Sequence, residues 1–161
     1  MAIEIERKFL VTSDAWREQA DAGVRYRQGY LTRVIGESDV KASVRVRTAG
    51  DKAWLNIKSA ELGVRRLEYE YAIPLAEAEE MLDRLSLGRL VEKTRYHVPV
   101  AGHVWEVDVF EGDNAGLVVA EIELQAEDEA FTLPDWAGAD VSDDPRYYNV
   151  YLAEHPWPSW D

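Results

Sequence analysis

Charged side chains recur along this sequence at a spacing of two residues, the spacing that places side chains on one face of a β-strand. Glu4, Glu6 and Lys8 begin the series. The later members are Arg45 with Arg47, Glu68 with Glu70, Lys93 with Arg95, Glu106 with Asp108 and Glu121 with Glu123, while Lys58 stands alone. One such pair is typical of a solvated surface, because protein surfaces carry mixed charges. Its repetition in nearly every predicted strand instead favours a polar interior that binds a charged ligand.

The basic and acidic members of this series indicate different binding roles. Arg and Lys suit a multiply anionic group, since Arg makes bidentate contacts to phosphate oxygens. The acidic members would repel the same anion, because at about 4 Å and an effective dielectric constant of about 20 a like-charge contact costs about 4 kcal/mol. A divalent cation between carboxylate and phosphate reverses that sign, and oxygen ligands suit Mg²⁺ or Mn²⁺ better than zinc. The pattern therefore predicts a site for a metal-bound polyanion.

Eight strands are predicted to position these side chains. They cover residues 3–10, 24–33, 41–48, 52–59, 64–73, 90–98, 103–111 and 117–126. Ala49, Gly50 and Asp51 separate the third strand from the fourth and predict a hairpin there. Eight mostly antiparallel strands can close into a barrel whose interior holds side chains or one small ligand. We therefore expect an α+β protein, mainly β, built as a closed eight-stranded antiparallel barrel with flanking helices.

Three helices are predicted beside this barrel, over residues 12–23, 74–87 and 145–154. The second is the clearest, because Leu75, Ala78, Leu82 and Leu85 recur with the period of an α-helix. Amphipathic helices of this kind can cover the apolar outer faces of the strands, which leaves the charged faces to line the interior. The last helix is expected to pack on the barrel or across one of its mouths.

Composition limits the class of protein and its partners. The 161 residues fit a single domain, placed over 1–161, and the absence of cysteine excludes disulfides and thiolate chemistry. The start carries no signal-peptide pattern, and no apolar run approaches the roughly 20 residues of a membrane span. The formal net charge of −13 argues against a general nucleic-acid binder. We expect a cytoplasmic protein with a small polyanionic partner, no nucleic acid and no membrane; a homodimer is left open.

The motifs resemble those of a known family. Glu4-x-Glu6-x-Lys8 is similar to the ExExK signature of the CYTH superfamily, the triphosphate tunnel metalloenzymes. The resemblance continues in order through Arg45-x-Arg47, Lys58, Arg66-x-Glu68-x-Glu70, Glu92-Lys93-Thr94-Arg95-Tyr96, Glu106-x-Asp108, Glu121-x-Glu123 and Asp144-Pro145-Arg146-Tyr147-x-Asn149. It covers nearly the whole chain. Arg27-Gln28-Gly29-Tyr30-Leu31 resembles the short bacterial members that hydrolyse inorganic triphosphate.

The resemblance implies an enzyme that splits inorganic triphosphate into pyrophosphate and phosphate inside a charged tunnel, with one or two Mg²⁺ or Mn²⁺ ions. It assigns substrate binding to Lys8, Arg45, Arg47, Lys58, Lys93 and Arg95. It assigns metal binding to Glu4, Glu6, Asp108, Glu121 and Glu123. Tyr30, on the polar face of the second strand, is a candidate for proton transfer during catalysis.

Several alternatives remain at the level of sequence. An adenylate cyclase or a thiamine or nucleoside triphosphatase would share the fold and the metals, because fold does not fix chemistry. A non-catalytic binder of polyphosphate or of a nucleotide triphosphate would need the same basic residues. A lipocalin-like carrier is disfavoured, since the lumen of such a barrel should be apolar.

Overall fold

Eight antiparallel strands close on themselves to form the predicted barrel. The computed structural model describes residues 3–32, 41–60 and 63–159, without the side chains of residues 154 and 159. The barrel strands are β1 (Ile3–Val11), β2 (Val24–Tyr30), β3 (Ala42–Ala49), β4 (Lys52–Ser59), β5 (Arg65–Ala72), β6 (Leu87–Val100), β7 (His103–Glu111) and β8 (Val118–Glu123). They are hydrogen-bonded in the order β5-β4-β3-β2-β6-β7-β8-β1, and a further pairing of β1 with β5 closes the ring.

The closing seam between β1 and β5 is short. It consists of three residue pairs, Ile3 with Leu67, Glu4 with Arg66 and Ile5 with Arg65. On its other side β1 pairs with β8 over five positions, from Glu6 opposite Glu123 to Leu10 opposite Val119. β1 therefore lies between β5 and β8, two strands that each carry members of the series of charged residues.

A ninth strand, β9 (Ala137–Asp140), lies outside the ring and was not predicted. It pairs with β1, where Asp140 is opposite Phe9 and Ala137 is opposite Val11. Its four residues, Ala-Gly-Ala-Asp, have no alternation of apolar and polar side chains, which is the pattern that identifies a strand from sequence.

Two α-helices are present in the described part of the chain, α1 (Leu75–Arg84) and α2 (Asn149–Glu154), and none of its helices is long and apolar enough to cross a membrane. The stretch predicted as a helix over 12–23 contains only a 3-10 helix, Ala15–Gln19. The stretch predicted as one helix over 145–154 is divided, because Tyr148 has an extended backbone between a 3-10 turn (Pro145–Tyr147) and α2. The predicted end of the second strand at residue 33 lies outside the described residues.

Tight turns fix the register of the hairpins. The predicted β3–β4 hairpin is confirmed, with Gly50 in the left-handed region at φ 61° and Arg45 opposite Asn56. The β6–β7 hairpin turns through Ala101 and Gly102, which have φ values of 47° and 86°. Two successive left-handed residues are the requirement of a type I′ turn, whose twist matches that of the flanking strands. Arg95 is thereby held opposite Asp108.

The apolar core lies between the barrel wall and the segments that cover it. On one side Phe9, Trp105 and Ile122 pack in a cluster with Trp16 of the 3-10 helix and with Trp136, which precedes β9. On the other side α1 packs Ala78 and Leu82 against Val46 and Ala53 of β3 and β4. Because the outer faces are occupied in this way, the charged faces of the strands are left to line the interior.

The C-terminal segment closes one end of the barrel. Val91, Phe110 and Val119 share the strand faces that carry the charged interior residues, and they form a cluster with Tyr148, Val150 and Leu152. The charged lining therefore gives way to an apolar plug at this end. By contrast, part of the outer face of β5 is uncovered, where Leu67, Tyr69 and Tyr71 are exposed by 44%, 44% and 55%.

Candidate functional site

A polar cavity of about 280 Å³ occupies the interior of the barrel. Its charged lining consists of seven basic and seven acidic side chains. These are Lys8, Arg45, Arg47, Lys58, Arg66, Lys93 and Arg95, with Glu4, Glu6, Glu68, Glu70, Glu106, Glu121 and Glu123. Tyr30, Asn56, Tyr148, Asn149 and Val150 complete the lining. A cavity with this lining suits a small, highly charged ligand far better than an apolar one.

Two buried cations share one carboxylate in the wall. Asp108 is fully buried, and its oxygens lie 2.7 Å from Lys93 Nζ and 2.7 Å from Arg95 Nε. Arg95 also donates to Glu106 Oε2 at 3.0 Å and to Glu121 Oε2 at 3.3 Å. Burial alone would raise the pKa of Asp108, but Arg95 and Lys93 outweigh it and hold the pKa below its usual value. Asp108 is therefore ionised, and both of its carboxylate oxygens accept hydrogen bonds from Lys93 or Arg95.

The surroundings of Lys93 and Arg95 shift the pKa values of these two cations in opposite directions. Burial lowers the pKa of Lys93 to about 8, and the Asp108 carboxylate offsets only part of that effect. For Arg95, burial is outweighed by Asp108 and Glu106, which hold its pKa well above the usual value. Arg95 is thus a permanent cation, and Lys93, paired with Asp108, is still mainly protonated at neutral pH.

Ion pairs connect the first strand to its neighbours across the cavity. Lys58 Nζ lies 3.2 Å from Glu4 Oε1 and 3.4 Å from Glu68 Oε2. Lys8 Nζ lies 3.5 Å from Glu121 Oε1 and donates to the Tyr147 carbonyl oxygen at 3.0 Å. These contacts are exchangeable, because each lysine could turn from a carboxylate to an entering anion. The acidic and basic residues therefore form one charged network.

Arg45 and Arg47 have capacity for a further acceptor. The buried Nε atoms of both have no hydrogen-bond partner among the described residues. Burial, together with Arg45 and Arg95, lowers the pKa of Arg47 to about 10, which reflects crowding of positive charge. Arg47 lies over the rings of Tyr26 at 5.0 Å and Trp54 at 5.7 Å. Crowded guanidinium groups with unused donors are what an anion site requires.

Negative charge is crowded among the carboxylates near the start of β1. Burial, then Glu121 and Glu4, raise the pKa of Glu6 to about 8. Burial and the carboxylates of Glu4 and Glu106 likewise raise the pKa of Glu123. For Glu121 burial is outweighed by Lys8 and Arg95, which hold its pKa well below the usual value. Glu6 and Glu123 therefore lie where a cation would be stabilised.

Most of the residues predicted for the site line this cavity. Asp108 does not, since it lies in the wall behind Lys93 and Arg95. Tyr30 lines the cavity and lies opposite Arg45 of the neighbouring strand β3. Burial lowers the pKa of Arg45, but Tyr30 and Glu68 outweigh that effect and leave it raised.

Sequence reasoning assigned no role in the site to five further lining residues, Asn56, Arg66, Tyr148, Asn149 and Val150. Arg66 carried a usable signal, because it shares a strand face with Glu68 and Glu70; its guanidinium lies 4.9 Å from the centre of the Tyr148 ring. Asn149 carried none beyond the family motif, in which Tyr148 is the unspecified position, since only the fold brings the C-terminal segment to the barrel end.

The acidic residues are not already arranged around a metal ion. Within 3–32, 41–60 and 63–159, no three acidic or histidine side chains come together in a group that could hold one. Glu4 and Glu121 are instead paired with Lys58 and Lys8. A metal ion would have to replace lysine at these carboxylates.

Comparison with known proteins agrees with this architecture. A family model described as the CYTH domain matches residues 2–148. A protein of Acetivibrio thermocellus named inorganic triphosphatase is 47% identical over 160 residues, covering 99% of each chain. A second protein of that name, from Nitrosomonas europaea, is 40% identical over 153 residues, covering 93% of this chain and 96% of the other.

A solved structure gives the same result in three dimensions. The crystal structure of an inorganic triphosphatase superposes with a TM-score of 0.65 at 36% sequence identity, covering 95% of each chain. The match in fold therefore extends over nearly the whole molecule.

Proposed function

The chain belongs to the CYTH domain family, and from this premise we propose that it is a hydrolase that splits inorganic triphosphate into pyrophosphate and phosphate inside the barrel. One observation carries the proposal: a closed barrel encloses seven basic and seven acidic side chains in one cavity. Relatives named inorganic triphosphatase, at 47% and 40% identity, support this substrate over other phosphate compounds.

In this proposal the basic residues bind the substrate. Arg45 and Arg47 line the cavity, and Arg47 is crowded by the charges of Arg45 and Arg95, so an entering phosphate would offset their mutual repulsion. Lys8 and Lys58 would exchange their carboxylate partners for phosphate oxygens, and Arg95 would remain fixed by Asp108. Triphosphate carries several charges along a short chain, which matches cations distributed around a barrel wall.

The acidic residues fit a divalent metal ion in their chemistry. Glu4, Glu6, Glu121 and Glu123 offer only carboxylate oxygens, the ligands preferred by Mg²⁺ and Mn²⁺. Burial, and then the neighbouring carboxylates, raise the pKa values of Glu6 and Glu123, and a cation would relieve the repulsion among these carboxylates. We therefore propose these four residues as the metal-binding set, with Asp108 holding Lys93 and Arg95 behind them. When bound, the metal would neutralise phosphate charge and promote ionisation of the attacking water.

The chain's own residues then perform positioning and charge stabilisation. Hydrolysis breaks one bridging P–O bond, and water supplies the oxygen that completes the released phosphate. Arg45, Arg47 and Arg95 would hold the non-bridging oxygens, so that charge developing on them meets fixed donors. Tyr30, beside Arg45, would hold or pass the proton of a reacting oxygen through its hydroxyl.

The test is phosphate release from a panel of substrates. Inorganic triphosphate, ATP, thiamine triphosphate and long-chain polyphosphate are each incubated with Mg²⁺, with Mn²⁺ and with chelator. We expect metal-dependent phosphate release from triphosphate in preference to the others. Binding of triphosphate without hydrolysis would indicate a non-catalytic binder, and cyclic AMP formed from ATP would indicate a cyclase.

Two variants tie that activity to the cavity. Glu6→Gln is expected to lower kcat about 100-fold or more, since it removes a carboxylate proposed as a metal ligand. Arg47→Ala is expected to raise KM about 10- to 100-fold, the cost of a lost charged hydrogen bond. Glu79→Gln on α1 and Arg89→Ala in β6 are matched controls, because both side chains are exposed outside the cavity. Equal losses in the controls would refute the assignment.

A further inference from the structure

Asn149 is held by two hydrogen bonds to its side-chain oxygen. Its Oδ1 accepts from Gln28 Nε2 at 2.9 Å and from Lys93 Nζ at 3.3 Å. All three residues are at least nine-tenths buried, with exposures of 9%, 0% and 1% for Asn149, Gln28 and Lys93. Two donors converging on one buried acceptor fix the orientation of the amide.

The identity of the two amide ends follows from Lys93. A protonated lysine is only a donor, so the atom of Asn149 that faces it must be the oxygen. Gln28 must then present its nitrogen to the same oxygen. Consistently, Gln28 Oε1 is buried without a hydrogen-bond partner among the described residues. The orientation of Asn149 is therefore maintained although it leaves a buried acceptor of Gln28 unsatisfied.

The amide nitrogen of Asn149 is left as the available donor. Asn149 lines the cavity together with its neighbours Tyr148 and Val150. Within the described part of the chain its Oδ1 is engaged twice, whereas no hydrogen bond of its Nδ2 is seen. An oriented N–H donor at the edge of a cavity lined with lysine and arginine is complementary to a phosphate oxygen.

We propose that Asn149 is a substrate-binding residue, whose Nδ2 donates to a phosphate oxygen at the end of the cavity closed by the C-terminal segment. This rests on the proposed function and deepens it by adding a neutral contact to the charged ones. Because Asn149 begins α2, the contact also joins the bound anion directly to the segment that plugs the barrel.

Isothermal titration with inorganic triphosphate tests the contact without relying on hydrolysis. In chelator, where metal-dependent hydrolysis does not occur, Asn149→Ala is expected to bind about 10- to 100-fold more weakly than the wild type, the loss of a hydrogen bond to a charged group. Asn149→Ser provides a smaller change should the alanine variant not fold. Affinities of both variants within twofold of the wild type would overturn the proposal.

Asn114→Ala is the matched control. Asn114 is also buried and accepts a hydrogen bond from the Trp157 amide at 2.8 Å, but it does not line the cavity. Its loss should affect thermal stability while leaving triphosphate affinity unchanged. A similar loss of affinity in this variant would mean that weakened packing of the C-terminal segment, rather than a contact to the anion, explains the result.

A double-mutant cycle with Lys93→Gln separates direct contact from an effect exerted through Lys93. Each variant is titrated until it saturates. A direct contact predicts the same fold loss from Asn149→Ala in both backgrounds, whereas no further loss in the Lys93→Gln background would overturn the proposal. Wild-type protein that binds triphosphate but does not hydrolyse it would refute the proposed activity and leave this test intact.

Discussion

At the scale of single residues, the cavity wall depends on one carboxylate that no solvent reaches. Asp108 forms ion pairs with both Lys93 and Arg95, which are exposed by 1% and 7%. A buried charge that loses its partner is costly, because it can recover neither hydration nor its ion pair. Asp108 therefore positions two cations that we assign to the substrate.

Asp108→Asn is predicted to lower the free energy of unfolding by about 3–5 kcal/mol, the usual cost of breaking a buried ion pair. The amide keeps the shape of the carboxylate and removes its charge, which leaves Lys93 without its ion-pair partner and Arg95 with only Glu106 and Glu121. Denaturant unfolding measures the change.

Asp113→Asn provides the control for this substitution. Asp113 Oδ1 lies 3.9 Å from Arg89 Nη1, and their side chains are exposed by 53% and 61%. An exposed pair of this kind contributes about 1 kcal/mol or less. If Asp108→Asn were no more destabilising than Asp113→Asn, the ion cluster would not support the wall.

At the scale of secondary-structure elements, one carboxylate of β9 adds side-chain contacts to the backbone pairing of β9 with β1. Asp140 accepts from Arg7 of β1 and from the Ser142 amide at 2.9 Å. Ser142 Oγ in turn accepts from the Lys8 amide at 2.9 Å. Burial would raise the pKa of Asp140, but Ser142 and Arg7 outweigh it and lower the pKa.

This attachment is predicted to make a pH-dependent contribution to stability. Since the pKa is lower in the folded than in the unfolded state, the contribution is complete above the unfolded value of about 3.9 and is lost as pH falls through the folded value. Asp140→Asn should cost about 1 kcal/mol or less at pH 7, because the pair is partly exposed. Unfolding free energies of both proteins should converge in acid.

Asp135→Asn is the control, since Asp135 is an exposed carboxylate on the segment leading to β9. It should change stability little at either pH. A difference between wild type and Asp140→Asn that stays constant from neutral to acidic pH would show that the carboxylate charge does not contribute.

The elements differ in how well their sequences identify them. Strands such as β7 alternate charged and apolar residues, so period and burial together specify both the strand and its inward face. β9 does not alternate, and the break at Tyr148 depends on packing inside the barrel end. Local pattern therefore predicts the barrel and its charged lining, whereas the plug and its contribution from Asn149 require contacts between residues distant in sequence.

At the scale of the whole molecule, charge is divided unevenly between inside and outside. The cavity lining balances seven basic against seven acidic side chains, while the chain carries a formal net charge of −13. The excess negative charge therefore belongs to residues outside the cavity lining. Such a surface disfavours extended polyanions, whereas the interior can bind a short one.

Triphosphate is accordingly predicted to stabilise the folded protein. Ligand that binds only the native state adds about 2.7 kcal/mol when its free concentration is 100 times Kd. For a chain of this size the melting temperature should rise about 5–10 °C. Thermal denaturation with increasing triphosphate measures the shift.

Sodium chloride at matched ionic strength is the control, because it separates specific binding from general screening of the surface charge. The Arg47→Ala variant should need more triphosphate for the same shift. Equal shifts with chloride and triphosphate would contradict binding inside the cavity.

The short seam between β1 and β5 affects how this protein behaves when concentrated. A closed ring gives each barrel strand two neighbouring strands, which protects against edge-to-edge aggregation. With three residue pairs, the seam is the place where transient opening would cost fewest hydrogen bonds. Opening there would unpair Leu67 beside the already exposed Tyr69 and Tyr71, which would give an aggregation-prone strand edge. Amide hydrogen exchange should therefore be faster along this seam than along β6 and β7.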